Sequence, residues 1–330
     1  MVRLSEDPEY GFVVGRVRAL ESSLIDRSRY ERLVRAQGTA EFVAALSETS
    51  YAKFLDGGSL DVLRALDKAT RENDAFFSQY AQESWLLHLF QLPAALRVLK
   101  TAIKGALSRG ETNVTIPAEF TAMQQPALVE GAVAASAQAF ERDRNPAAVD
   151  AEVDKLLQVL QLQTAGTSEF VLGYLGLHAD LENLRTLARL KAHPGTEADQ
   201  RRGMETAFLC GGGLAQKDLV AALEEPWTAV VERFAKTPPT GCGSEVFRDY
   251  LEQGSAAVAD QKTFVRMERL GREIELRYLR QTRYATFGYE PFVTFHVLRE
   301  NELRNLRLLY AAKLARLADE ETQDLVAYVD

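Results

Sequence analysis

Ala179-Asp-Leu-Glu-Asn-Leu-Arg-Thr-Leu-Ala-Arg-Leu-Lys191 decides how the rest of this sequence is read. Leu181, Leu184, Leu187 and Leu190 recur every three residues, the pattern of one buried helix face. Glu300-Asn-Glu-Leu-Arg-Asn-Leu-Arg-Leu-Leu-Tyr-Ala-Ala-Lys313 repeats it with Leu303, Leu306, Leu309 and Leu314. Aligning Asn183 with Asn305 also aligns Leu184 with Leu306, Arg185 with Arg307 and Lys191 with Lys313. Leu92-Pro-Ala-Ala-Leu-Arg-Val-Leu-Lys100 is a weaker third copy, with Ala95 in place of the Asn. The three positions lie 88 and 122 residues apart, bracketing a third of the chain. Repetition at that scale is the first thing to explain.

Working outward, a short aromatic-containing helix is expected before each copy: Ser84 to Phe90, Phe170 to Leu177 and Phe292 to Leu298. Two amphipathic helices open each unit. They are Tyr30 to Leu33 with Glu41 to Tyr51, then Ile116 to Phe140, then Gly211 to Leu214 with Pro226 to Thr240. The expected organisation is an N-terminal helix over 1–24 and repeat units at 25–110, 111–204 and 205–330. Turns are expected at the Gly and Pro clusters Asp56-Gly-Gly58, Arg109-Gly110, His193-Pro-Gly195, Gly211-Gly-Gly213 and Pro238-Pro-Thr-Gly241. Asn113-Val-Thr-Ile-Pro117 is the single strand candidate, held to an edge by its Pro. The class is all-α.

Composition supports helix. The 330 residues include 45 Ala and 44 Leu, more than a quarter of the chain, and both favour helix. With 47 acidic and 39 basic residues the net charge is -8, against the basic footprint of a nucleic-acid binder. Cys210 and Cys242 share no metal-like spacing and form no disulfide framework, which suits a reducing compartment. The start, Met1-Val-Arg-Leu-Ser-Glu-Asp-Pro, has no apolar signal core. The longest apolar candidates, Gly131 to Phe140 and Phe170 to Leu177, are too short to span a bilayer.

Catalytic and metal patterns are weak. His178 and Glu182 are four apart on one helix face, yet no second His or Cys stands near them in sequence. Gly211-Gly-Gly213 lacks the Lys-Ser or Lys-Thr pair of a phosphate cradle and reads as a turn. Cys210 beside it reads as a small buried residue, not a nucleophile. Glu300 with Arg304, and Glu182 with Arg185, have the spacing of helical ion pairs. They are either solvated surface pairs or junctions that fix the angle between helices. On the N-terminal helix Arg16 and Arg18 flank Val17, so one faces solvent and the other packs inward. That helix either closes the bundle or faces a partner. The structural or partner-interface candidates are Arg16, Arg18, Glu21, Glu182, Asn183, Arg185, Glu302, Asn305 and Arg307. No catalytic, cofactor or metal residue is expected.

Taken together, these features resemble the C subunit of the V/A-type rotary ATPases, the counterpart of the d subunit of eukaryotic V-ATPases. The resemblance rests on Tyr10 to Glu21, Leu46-Ser-Glu-Thr-Ser-Tyr51, Asn183-Leu-Arg185, Gly288-Tyr-Glu-Pro-Phe292, Glu302-Leu-Arg-Asn-Leu-Arg307 with Lys313, and the ending Tyr328-Val329. It implies three similar helical domains with pseudo-threefold symmetry forming a funnel-like socket. It also implies a non-catalytic connector, binding the D and F subunits of the central stalk on one side and the membrane proteolipid (c/K/L-type) ring on the other. No cofactor, small-molecule substrate or nucleic acid is implied. The place implied is peripheral, on the cytoplasmic face of the membrane, within the rotary complex. Ala95 departs from the pattern and sets the first unit apart. The competing expectation is a free-standing helical adaptor, which leaves the Gly-Tyr-Glu-Pro and Asn-Leu-Arg signals without a reason.

Overall fold

The computed structural model describes residues 3–55, 61–111, 114, 116, 126–193 and 195–328. Among them are fifteen α-helices, three short 3-10 helices and no strand, so the all-α expectation holds. The first four helices are α1 (Gly11–Glu21), α2 (Arg27–Arg35), α3 (Thr39–Leu46) and α4 (Val62–Tyr80). Next come α5 (Ser84–Ser108), α6 (Pro126–Asp143), α7 (Pro146–Ala165) and α8 (Glu169–Ala192). Then follow α9 (Glu197–Ala207), α10 (Gln216–Ala222), α11 (Trp227–Phe234) and α12 (Ser244–Gln261). The last three are α13 (Val265–Leu279), α14 (Glu290–Ala315) and α15 (Asp319–Gln323). Asp56-Gly-Gly58 lies outside the described residues, as do Asn113, Thr115 and Pro117 of the strand candidate and 117–125 of the helix expected from Ile116. Val114 and Ile116 pack at the edge of a helical core instead of in a strand.

The chain divides into two compact units, residues 1–81 with 249–330, and residues 82–248. The linear reading breaks the chain after 24, 110 and 204. Contacts place the divisions after Ala81 and before Asp249, inside α12.

In the first unit α14 is the axis, packed by α1, α3 and α4. Leu303, Leu306 and Leu309 are buried with Tyr30, Leu33, Phe42, Leu46, Val62 and Leu66. Each such side chain contributes about 2 kcal/mol of burial. Leu314 is 59% exposed, because five residues after Leu309 it has left the apolar stripe. The start of α14 explains Gly288-Tyr-Glu-Pro. Gly288 has φ +82, and a Cβ there would lie 2.5 Å from the Ser5 carbonyl oxygen. The Gly288 N–H donates to Asp7 O at 3.0 Å, and Ser5 N–H donates to Glu290 Oε1 at 2.6 Å. Pro291 fits the first turn, where its missing N–H costs nothing. This turn pins the N-terminal segment to α14. Phe292 stacks on Phe77 of α4 with ring centres 4.8 Å apart.

In the second unit α7 packs on α5, α6 and α8. Its core joins Leu92, Leu96, Leu99 and Ile103 of α5 to Val149, Val153, Leu156 and Leu160 of α7. Asn145 caps α7, accepting from Ala147 N–H at 2.9 Å, and Ser168 caps α8. α5 is long and apolar enough to cross a membrane by length and composition, a weak signal that core helices share. It holds no uninterrupted apolar run of that length, because Arg97, Lys100 and Lys104 break the stretch. The short helices expected before each Asn-Leu-Arg copy are not separate elements. Each forms the opening turns of one long helix: α5, α8 or α14.

Candidate functional site on the Asn-Leu-Arg helices

Asn183 and Asn305 are both fully buried, and both do one job. Asn183 Nδ2 donates to Leu209 O at 2.9 Å, while its Oδ1 accepts from Leu209 N–H at 2.8 Å. Asn305 Nδ2 donates to Ala327 O at 2.8 Å, and its Oδ1 accepts from Ala327 N–H at 3.4 Å. Each amide clips both polar groups of one backbone residue that lies 22 to 26 positions downstream. A buried backbone segment outside helix or sheet must find such partners, and a side-chain amide supplies donor and acceptor together.

Three residues earlier stands an acid. Asp180 accepts from Gly213 N–H at 2.8 Å and Leu214 N–H at 2.9 Å, ahead of α10. Glu302 accepts from Ile25 N–H ahead of α2, from the Tyr51 hydroxyl at 2.7 Å and from Arg299 at 2.6 Å. Burial pushes both carboxyl groups above their ordinary range. Hydrogen bonds pull back in each case, and at Glu302 the Arg299 charge does so as well. Burial and the Glu302 charge together push the Tyr51 hydroxyl well up.

Eight residues after each Asn stands a lysine that closes a helix. Lys191 Nζ donates to the carbonyls of Ala222, Leu223 and Glu225, at 3.0, 2.9 and 2.6 Å, at the end of α10. It also lies 5.3 Å from the Trp227 ring centre, and burial lowers its pKa. Lys313 Nζ donates to Val34 O at the end of α2 and lies 3.4 Å from Asp319. A cation at a helix C-terminus satisfies orphan carbonyls and complements the helix dipole. Each long helix thus holds a short helix at its start and its end, and a third strut by its backbone.

The remaining candidates sit outside this framework. Glu182 pairs with Arg185 at 2.8 Å on a partly exposed face. Arg307 reaches Thr70 Oγ1 at 2.7 Å and Asp67 at 3.1 Å, tying α14 to α4. On α1, Arg16 is exposed, donates to the Tyr80 hydroxyl at 2.5 Å and lies 5.1 Å from that ring's centre. Arg18 turns inward, donating to Thr282 O at 2.7 Å and Ala285 O at 2.9 Å while pairing with Glu21. Glu21 lines a cavity of about 340 Å³ with Ile25, Arg27, Arg280, Thr294 and Tyr328. Glu302 and Asn305 therefore share one buried network with Tyr51, Arg299 and Tyr30, whose hydroxyl is 3.3 Å from Asn305. Arg16, Arg18 and Glu21 form a second group on α1, with Arg16 exposed and Arg18 and Glu21 half-buried.

Sequence reasoning missed Asp180, Tyr51 and the capping role of the lysines. Asp180 was legible: the register that aligns Asn183 with Asn305 also places Asp180 on Glu302. Gly211-Gly-Gly213 is a turn, as expected, and the structure supplies its reason. Gly211 has φ +93, and a Cβ on Gly212 would lie 2.1 Å from Asp180 Oδ1. Cys210, expected to be buried, is exposed: its carbonyl takes the Gln158 amide at 2.9 Å while its side chain faces out.

The polar groups of this framework bond mostly to backbone, with Tyr51 and Arg299 as side-chain partners of Glu302. Residues 13–325 match the model of the ATP synthase (C/AC39) subunit family. The A-type ATP synthase C subunit of Methanosarcina acetivorans is 23% identical over 358 aligned residues, spanning 97% of this chain and 93% of that protein. The matched residues span both Asn-Leu-Arg helices and the Gly-Tyr-Glu-Pro turn of this chain, and the chain belongs to the ATP synthase (C/AC39) subunit family, a structural and not a catalytic component of that machine.

Proposed function

We propose that this protein is the connector of the rotor, seating the D and F subunits of the central stalk on the proteolipid ring at the cytoplasmic face and passing torque between them. The observation that carries this reading is the clip of acid, asparagine and lysine present in both units. A body that transmits torque must not shear, and a short helix fixed at both ends to a long one resists sliding better than apolar contact alone. The finer architecture, three similar units forming a funnel-like socket, rests on the sequence repeat. Its test is whether each of the segments 25–110, 111–204 and 205–330 supplies an equivalent contact to a crosslinked ring.

Asn183, Asn305 and Glu302 serve as framework in this reading. Arg16, Arg18, Glu21, Glu182, Arg185 and Arg307 serve at or near the contact surface. Phe12, 69% exposed on the same helix as Arg16, and Tyr284, 87% exposed, add apolar surface of the kind partners cover. The deciding experiment reconstitutes the complex with and without this chain. ATP hydrolysis by the soluble part should persist without it, while ion pumping driven by that hydrolysis should be lost. Coupled pumping that survives the deletion overturns the proposal.

A further inference from the structure

Away from the clips, α4 and α14 bring three donor groups together. Asp74 of α4 meets His296 and Glu300 of α14, and one ligand atom from each lies within 4.8 Å of the others. His296 Nε2 is 3.8 Å from Glu300 Oε1. The imidazole is 4% exposed and held on two sides. The Phe77 ring lies 4.3 Å away, and Asn73 Nδ2 lies 3.0 Å from Nδ1. The ring is therefore fixed with Nε2 toward the two carboxylates, which stand at the surface. Asn73 Nδ2 can only donate, so in this arrangement Nδ1 accepts and Nε2 carries the ring proton; a ligating histidine takes the opposite tautomer, its Nδ1–H donating to a neighbouring acceptor.

We propose that Asp74, His296 and Glu300 bind one divalent transition ion of the zinc class, with water completing the coordination, so that the ion staples α4 to α14. One imidazole and two carboxylates are a donor set for such ions and not for a soft monovalent metal. Burial holds the His296 pKa down to about 3, so the imidazole is neutral at cellular pH, as a ligand must be. Partial burial raises the Asp74 carboxyl, a cost that a neighbouring dication reverses. Binding involves no redox change. Its proton balance is explicit: Nε2 gives its lone pair to the ion, and the ring proton moves to Nδ1. The Asn73 amide then turns so that Oδ1 accepts, giving up its 3.4 Å contact to the His296 carbonyl. Asp74 and Glu300 sit 226 residues apart on two helices of one unit, so the ion would close a long loop, which is where a cross-link stabilises most.

The test uses the purified full chain, stripped with chelator and titrated with zinc chloride in a calorimeter, with cobalt absorption as a second probe. The expected result is one zinc per chain, a melting temperature that rises with zinc, and a cobalt spectrum without a thiolate band. His296→Gln should abolish binding. Asp74→Asn and Glu300→Gln, at exposed positions that leave the fold intact, should each weaken it by at least about tenfold. A C210S/C242S chain should bind as the parent does. No zinc binding at 100-fold molar excess, binding unchanged by Asp74→Asn and Glu300→Gln, or binding lost with the cysteines would each overturn the proposal.

Discussion

Asp180 and Glu302 hold the same register on two long helices and solve one problem in opposite ways. At Asp180 the acid is short, and the backbone comes to it. Gly211-Gly-Gly213 folds onto α8 so closely that Gly176 also has no room for a Cβ, which would lie 2.7 Å from Gly211 O. Backbone N–H groups alone satisfy the carboxylate. At Glu302 the acid is one methylene longer and reaches out, and side chains assist: the Tyr51 hydroxyl and the Arg299 guanidinium join the Ile25 amide. The difference shows that the repeat keeps a mechanical task and not a residue. Where the loop is glycine-rich the acid is short; where the loop carries Ile25 and Asp26 the acid extends and needs a counter-charge. The third helix, α5, lacks the clip. It is tied to α7 by Lys100 to Asp154 and Lys104 to Asp150, both at 2.7 Å and half exposed.

The comparison breaks first at Glu302. Glu302→Ala strands the buried Arg299 charge together with the Tyr51 hydroxyl and the Ile25 amide, and should cost about 3–5 kcal/mol in urea denaturation. A loss below about 1 kcal/mol would mean that the network is water-filled. Next come the asparagines. Asn183→Ala orphans both polar groups of Leu209 and should cost about 2–3 kcal/mol. Asn305→Ala should cost less, because Asn301 Nδ2 still donates to Ala327 O at 2.8 Å. Equal losses would remove that distinction between the units.

A smaller effect is read as a slope. Burial raises the Asp180 pKa, so as pH rises the unfolded chain loses this proton before the folded one. The group's contribution is complete below about pH 3.9, the usual aspartate value, and declines as pH rises through the higher folded value. Asp180→Asn should remove that decline from a plot of denaturation midpoint against pH between about 3 and 7, though it lowers stability overall. An unchanged slope would place Asp180 in water. The smallest effect belongs to α5. Lys104→Ala should shift stability by less than about 1 kcal/mol, since its partner is half exposed and salt screens the pair. A loss as large as that of Asn183→Ala would show that ion pairs substitute fully for the clip.

Much of the fold was readable one residue at a time. Leu181, Leu184 and Leu187 of α8 and the Val13, Val14 and Val17 face of α1 are buried as their spacing demands, while Leu190 is half-buried. The Asn-Leu-Arg register and its lysine were visible in sequence as well. What they touch was not. Leu209 lies 26 residues from Asn183, and Val34 lies 279 from Lys313, distances at which a sequence holds no record of hydrogen bonding. The same limit hid Tyr51, 251 positions from its partner Glu302, and joined the first 81 residues to the last 82 in one unit.

The sequence by itself determined the helices, the family and the absence of a recognisable catalytic pattern, because periodicity, Gly and Pro punctuation and a repeated motif are local signals. Tertiary structure alone decided which polar residues are framework and which are surface. Glu182 and Asp180 are two positions apart on one helix, yet one pairs at the surface and the other is 1% exposed beneath a glycine turn. The hundred-degree step between successive helix residues puts neighbours on different faces, and only the packing of the rest of the chain says which face is inside.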